Sequence, residues 1–166
     1  LLPFKTQVKE IMSEVEPLFS ALKRVTIQNM GCQDDEALSA QIVSHKQVLC
    51  IVNTRNHARH LFGLLGNDPA NYHLSALMCP AHRQQVIQEI RHRLDANMPC
   101  RVISTQLIEA GVDIDFPVVY RTMAGLDSIA QAAGRCNREG RKRREDSIVH
   151  IFNPSAARTT GWFQKM

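Results

Sequence analysis

The sequence predicts an α/β domain with a central, mostly parallel sheet and helices on both faces. Three observations carry this expectation. Short apolar runs alternate with helix-period segments along the chain, the pattern of successive βαβ units. The run Gln47-Val-Leu-Cys-Ile-Val-Asn53 is apolar without alternation, as in a strand covered on both faces of a parallel sheet. The length of 166 residues and the apolar content of 44% suit one compact core.

The elements follow in order. Residues 8–22 read as an amphipathic helix with a break or kink at Pro17, because proline removes a backbone donor. Residues 24–27 read as a strand. Residues 34–44 read as a helix with acids in its first turn, where the helix dipole favours them. Residues 47–53 form the buried strand, with 48–52 its most buried part. Residues 55–65 form a helix closed by Gly66-Asn-Asp-Pro69. Residues 72–77 are the third strand. Residues 80–94 are a helix opened by Pro80. Residues 101–104 and 117–120 are further strands, residues 126–137 a helix, and residues 147–152 the last strand. We read residues 1–22 as a linker or N-terminal helix, 23–155 as the α/β domain, and 156–166 as a tail or the start of a further segment. No internal repeat or low-complexity segment interrupts this plan.

Composition narrows the setting. A net charge of +4 is compatible with nucleic acid but does not single it out, and much of the excess sits in the run Arg138-Glu-Gly-Arg-Lys-Arg-Arg144. That run reads either as a nucleic-acid patch or as a solvated loop. Five scattered cysteines without a C-x-x-C pair point to reduced thiols and an intracellular setting. The opening Leu1-Leu-Pro-Phe4 is too short an apolar run for a signal peptide, and a start at Leu1 suggests a piece of a larger protein. No apolar run approaches membrane-spanning length. His57 and His60 near Cys50, and His82 near Cys79, supply no four-ligand metal group. Cys136 lies beside arginines but has no histidine adjacent in sequence, which argues against a nucleophile.

The chemistry is concentrated in a few positions. Gln131, Arg135 and Arg138 are spaced i, i+4 and i+7, so a helix would project one amide and two guanidiniums from one face. Such an array suits a phosphate that gains charge during transfer. Asn53-Thr54 follows the most buried strand and opens the next helix. It reads as a backbone-phosphate site, as a helix cap, or as both. Ser104-Thr105-Gln106 follows another strand in the same way and belongs to the same rim, again with capping as the other reading. Gly111 and Asp113 flank Val112. A glycine there permits close backbone approach and a carboxylate accepts ribose hydroxyls, although the pattern is also that of an ordinary turn.

Together these motifs resemble the second RecA-like lobe of superfamily 2 helicases. Residues 48–54 look like motif IV, residues 104–115 like motif V and residues 131–138 like motif VI. The segments Thr105-Gln-Leu-Ile-Glu-Ala-Gly-Val-Asp-Ile-Asp115 and Gln131-Ala-Ala-Gly-Arg-Cys-Asn-Arg-Glu-Gly140 are similar to the helicase part of the CRISPR-associated helicase–nuclease of type I interference. Motif VI starts with Gln, as in that group, and not with the His of DEAD-box RNA helicases. Residues 75–83 and the closing strand are also similar, less specifically.

The resemblance implies a RecA-like three-layer fold and a motor lobe acting on single-stranded DNA in antiviral defence. Gly111 and Asp113 would contact nucleotide or the partner lobe. Gln131, Arg135 and Arg138 would face the γ-phosphate, with Arg138 as the finger. Asn53, Thr54 and Thr105, with Ser104 and Gln106 beside them, would follow the DNA backbone. The competing reading pairs Arg138 with an acid near it in sequence, such as Glu139 or Glu145. ATP and Mg²⁺ would be held mainly by a first lobe, since this chain has no G-x-x-x-x-G-K-[ST], no D-E-x-H run and no His-Asp nuclease cluster. The implied partners are single-stranded DNA, that first RecA-like lobe, a nuclease domain and an RNA-guided surveillance complex, with no membrane, in the cytoplasm of a prokaryote. The chain alone is expected not to hydrolyse ATP. The alternatives are a non-catalytic RecA-like binding module and a lobe of another superfamily 2 motor such as a restriction translocase.

Overall fold

The computed structural model of the chain describes residues 14–108 and 112–155. The strands are β1 (Thr26–Gln33), β2 (Gln47–Ile51), β3 (Asn71–Leu74), β4 (Cys100–Ser104), β5 (Val118–Thr122) and β6 (Ile148–Pro154). The helices are α1 (Val15–Leu22), α2 (Asp35–Ser44), α3 (Arg55–Leu64), α4 (Pro80–Asp95) and α5 (Leu126–Ala133). The strands lie side by side in the order β1-β6-β5-β2-β4-β3, and every neighbouring pair is parallel. The sheet is therefore fully parallel among the described residues, where the sequence predicts a mostly parallel one.

The period of two along β2 explains the layers. Leu49 and Ile51 point to one face, where they join Ile90 of α4 and Ala132 of α5. Val48, Cys50 and Val52 point to the other, where they join Leu38 and Ile42 of α2 and Ala58 and Leu61 of α3. Both sides of β2 are thus covered, and residues 48–52 are all fully buried. This is why the run carries no polar alternation.

Several boundaries depart from the sequence expectation, and β3 ends at Leu74 rather than at residue 77. β1 continues to Gln33 rather than ending at residue 27. It is an edge strand, largely exposed and polar, so no apolar pattern marks its extent. A bulge between Asn29 and Cys32 accommodates Gly31 at φ 66°. Pro17 lies in the first turn of α1, where a missing N–H costs little, so it neither breaks nor kinks a helix interior. Residues 8–13 of the expected helix, and the tail 156–166, lie outside the described residues. A further departure, at the end of α5, changes the candidate site and is described there.

Three half-buried histidines give the fold a pH dependence. The Tyr120 ring of β5 stacks on His150 at 4.6 Å and its hydroxyl meets His45 Nε2 at 3.0 Å. His73 stacks on Phe62 at 5.5 Å. Burial lowers all three imidazoles below their ordinary 6.5, helped by His45 at His150 and by Arg59 at His73. The unfolded chain therefore binds these protons more readily than the folded one, and stability falls as the pH drops through 6.5 toward the folded values. Thermal melting should be nearly independent of pH between about 7 and 8 and shift downward between about pH 6.5 and pH 5, with His150→Phe flattening part of the slope.

Candidate functional site

The sequence-predicted site residues fall into two groups. The first lies at the carboxyl ends of β2, β4 and β5, which are neighbours in the sheet. β2 continues through Val52, whose N–H donates to the Ser104 carbonyl at 2.9 Å. Thr54 caps α3, with its Oγ1 accepting from the His57 amide at 3.2 Å. A hydroxyl that accepts one bond keeps its own O–H as a donor, so the cap does not use up the side chain. Asn53 is a junction. Its Oδ1 accepts from Arg121 Nη1 at 2.7 Å and from Gln106 Nε2 at 3.4 Å, and its Nδ2 donates to the Met123 carbonyl at 3.0 Å. Gln106 is exposed on the short 3₁₀ turn Gln106–Ile108.

Ser104 and Thr105 sit deeper than a rim requires. Ser104 is fully buried and donates its hydroxyl to the Leu74 carbonyl at 3.2 Å, tying β4 to β3. Thr105 is 8% exposed. The outward polar groups at this edge are accordingly Asn53, Thr54 and Gln106.

The second group sits where α5 returns toward the start of β5. The expected helix over residues 126–137 ends instead at Ala133. The reason is a competing set of backbone bonds. The Phe116 amide donates to the Arg135 carbonyl at 2.9 Å, and the Asn137 amide donates to the Phe116 carbonyl at 3.2 Å. Asn137 adopts φ 50°, a left-handed geometry that asparagine tolerates better than most residues. Gln131, Arg135 and Arg138 therefore do not share one helical face. Gln131 is exposed on α5, Arg135 is buried just past it, and Arg138 is exposed on the following turn.

That turn is firmly built. Asp115 receives the amides of Arg138 at 2.9 Å and Glu139 at 3.3 Å. Buried Asn137 donates to the Arg24 and Lys142 carbonyls at 3.0 and 2.8 Å, and its Oδ1 accepts from the Lys142 amide at 3.0 Å. On this base Arg138 Nε lies 3.2 Å from Asp113 Oδ1. The acid partner is thus Asp113, and not Glu139 or Glu145. Arg91 of α4 donates to the Asp113 carbonyl at 2.7 Å from the other side. Arg135 Nε donates to the Ile108 carbonyl at 3.1 Å. Burial first, then the charge of Arg138, lowers the Arg135 pKa, and Asp113 opposes them. A guanidinium so placed stays charged. A groove of about 620 Å³ opens beside the pair, lined by Arg91, Asp113, Asp115 and Lys142 among others.

Other candidates resolve simply. Gly111 lies outside the described residues. Burial pushes the Cys136 thiol up to about 12 and its Sγ donates to the Pro117 carbonyl at 3.2 Å, so it is no nucleophile. His57 pairs with buried Asp35 at 2.8 Å. Among the described residues no three His, Cys, Asp or Glu side chains converge as metal ligands. Residues 138–144 are exposed, with Arg141 near Glu139 at 3.9 Å and Arg143 on Asp146 at 3.0 Å, the form of a solvated loop. Sequence reasoning missed Asp115, Arg121 and Asn137. Arg121 left one usable signal, a lone charge in the apolar run Val118-Val-Tyr-Arg-Thr122.

Comparison with known proteins places the chain. A family model described as CRISPR-associated nuclease/helicase Cas3, C-terminal, matches residues 44–153. The CRISPR-associated nuclease/helicase Cas3 of Methanothermobacter thermautotrophicus is 35% identical over 124 residues, covering 74% of this chain and 15% of that protein. That of Haloferax volcanii is 44% identical over 73 residues, covering 44% of this chain and 8% of that protein. The chain thus spans only a small part of the curated relatives it matches. The crystal structure of T. fusca Cas3-ATP superposes with a TM-score of 0.65 at 18% identity, over 80% of this chain and 18% of that one. A chain in a CRISPR RNA-guided surveillance complex, pre-nicking, superposes with a TM-score of 0.65 at 19% identity, over 82% of this chain and 19% of that one. At these identities the likeness establishes the fold, a RecA-like α/β lobe.

Proposed function

The chain belongs to the family of the C-terminal region of the CRISPR-associated nuclease/helicase Cas3, and from that premise we propose that it is the second motor lobe of an ATP-dependent single-stranded DNA translocase in CRISPR interference. The observation that carries this reading is the pairing of Arg138 with Asp113 at 3.2 Å beside the buried guanidinium of Arg135. Two planar donors are held next to an exposed carboxylate on a rigid turn, in a chain without a phosphate loop of its own. A binding module has no need of an exposed guanidinium held in this way on a carboxylate.

Residue chemistry supports roles for each group. Arg138 exchanges its Asp113 contact for the γ-phosphate presented by a first lobe, because a phosphate of higher charge competes for the same fork. Asp113, once released, accepts a ribose hydroxyl or a donor of that lobe. Arg135 remains anchored to the Ile108 carbonyl and adds its charge from behind, and Gln131 offers a neutral donor from α5. ATP supplies the phosphoryl bond whose cleavage drives movement, and Mg²⁺ would be held mainly by the first lobe. The isolated chain should accordingly show no ATP turnover above background. The nuclease domain and the recruiting RNA-guided complex belong to the same proposal, the latter supported by the surveillance-complex neighbour.

Asn53, Thr54 and Gln106 form the proposed DNA rim, with Ser104 and Thr105 buried behind them. Phosphate contacts position a strand without reading its bases, so binding should be independent of sequence and weaken with salt. The test uses Thr54, whose cap and phosphate roles can be separated. In the full-length protein Thr54→Ala should weaken single-stranded DNA binding by about tenfold and reduce coupled ATPase. Thr54→Asp keeps the cap and opposes the phosphate, so it should preserve thermal stability while weakening DNA binding at least as much. Wild-type affinity in both variants would leave Thr54 as a helix cap only.

A further inference from the structure

We propose that Arg121 is a positioning residue of the nucleic-acid rim, which sets the Asn53 amide so that it presents N–H, and not oxygen, to a phosphodiester backbone. The inference rests on the rim reading above and adds a residue that lies wholly beneath it. Arg121 is 0% exposed on β5, in register with Ile51 of β2 on one side and Ile151 of β6 on the other. A guanidinium in that setting is unfavourable, and an apolar side chain would pack there without the desolvation cost. The contacts it makes are directional. Nη1 donates to Asn53 Oδ1 at 2.7 Å and to the Thr122 carbonyl at 3.0 Å.

The orientation of the amide follows from chemistry. A guanidinium has donors only, so the Asn53 atom facing it must be the oxygen. Gln106 Nε2 reaches the same oxygen at 3.4 Å, and the Met123 carbonyl accepts from Nδ2 at 3.0 Å. All these partners agree on one flip of the amide. An amide nitrogen carries two hydrogens, and the bond to Met123 uses one. The other belongs to the rim, where it can meet an anionic oxygen. If Arg121 were replaced by an apolar residue, Asn53 would lose its strongest acceptor contact and could turn its oxygen toward the phosphate, which repels it. Arg121 thereby links the ends of β2 and β5 with the turn after β4 into one donor surface.

The test measures single-stranded DNA affinity of the full-length protein without nucleotide, with a thermal melt of every variant. Asn53→Ala should weaken binding by about tenfold, the scale of one hydrogen bond to a charged group. Arg121→Met should weaken it by a similar factor, and the double variant should be no weaker than either single one. Arg121→Lys retains a donor for Oδ1 and should stay within about threefold of wild type. Asn53→Asp keeps the partner of Arg121 but removes the outward N–H, and should bind more weakly than Asn53→Ala. If Arg121→Met does not fold, Asn53→Asp decides, because its fold is protected by the retained pair. Wild-type affinity in Asn53→Asp, additive losses in the double variant, or equal losses in Arg121→Met and Arg121→Lys would each overturn the inference. An Asn53→Ala variant with unchanged affinity would instead remove the rim reading itself, and the inference with it.

Discussion

Replacing Arg138 by Ala in the full-length protein should lower DNA-stimulated ATP turnover by at least about 10³-fold while ATP affinity stays within about tenfold. The asymmetry follows from where charge develops. A preorganised guanidinium acts on the γ-phosphate mainly as its bond breaks, so its loss is felt in the rate more than in ground-state binding. The structure makes this substitution unusually clean. The Arg138 side chain is 42% exposed and its partner Asp113 is 66% exposed, so their pair contributes only about 0–1 kcal/mol. The turn itself is held through the Arg138 backbone, whose amide donates to Asp115 and whose carbonyl accepts from Arg24. Thermal stability should therefore be unchanged. Arg138→Lys should not restore turnover, because an ammonium lacks the planar fork that reaches a phosphate in two places. Near-normal turnover in the Ala variant would remove Arg138 from the active site and leave it as a surface ion pair.

The fold was legible where burial imposes a pattern. β2 is covered on both faces, and its unbroken apolar run announced this. All six strands are legible in the sequence, and α2, α3 and α4 are legible to within a residue or two, because their apolar faces and caps are local properties. β1 was cut short since an exposed edge strand needs no apolar period. The end of α5 is hidden from the sequence for a different reason. The residues after Ala133 have no strong helix breaker beyond Gly134, and what stops the helix is the Phe116 backbone, distant in sequence. The same non-local bonds decide the candidate site. Spacing alone put Gln131, Arg135 and Arg138 on one face. The structure separates them by burial and gives Arg138 an acid, Asp113, that no local window contains. Residue types at the strand ends pointed to Asn53 as a phosphate contact. They could not reveal Arg121 beneath it, whose contacts depend on β2 and β5 lying side by side.

Arg135→Ala should lower turnover by at least about 10²-fold and, unlike Arg138→Ala, also destabilise the fold by about 1–3 kcal/mol. The two arginines differ in burial, and the difference determines the readouts. Arg135 is 8% exposed, and its Nε donates at 3.1 Å to the carbonyl of Ile108, itself a fully buried residue. Removing that donor strips a buried carbonyl of a charge-assisted bond, which carries a desolvation penalty that a surface pair does not. Ile108 ends the 3₁₀ turn that begins at Gln106, and Gln106 reaches Asn53 on the proposed DNA rim. The loss should therefore spread to single-stranded DNA affinity, whereas Arg138→Ala should leave DNA binding untouched. Arg135→Lys can still donate to the Ile108 carbonyl through its single amine. It should recover part of the stability and of the DNA affinity, but not the turnover that depends on a guanidinium beside Arg138. Denaturant unfolding, DNA binding and ATPase measured on both Arg135 variants separate these contributions. Normal stability in Arg135→Ala would show that the Ile108 contact is dispensable, and normal turnover would leave Arg138 as the sole guanidinium acting on the phosphate.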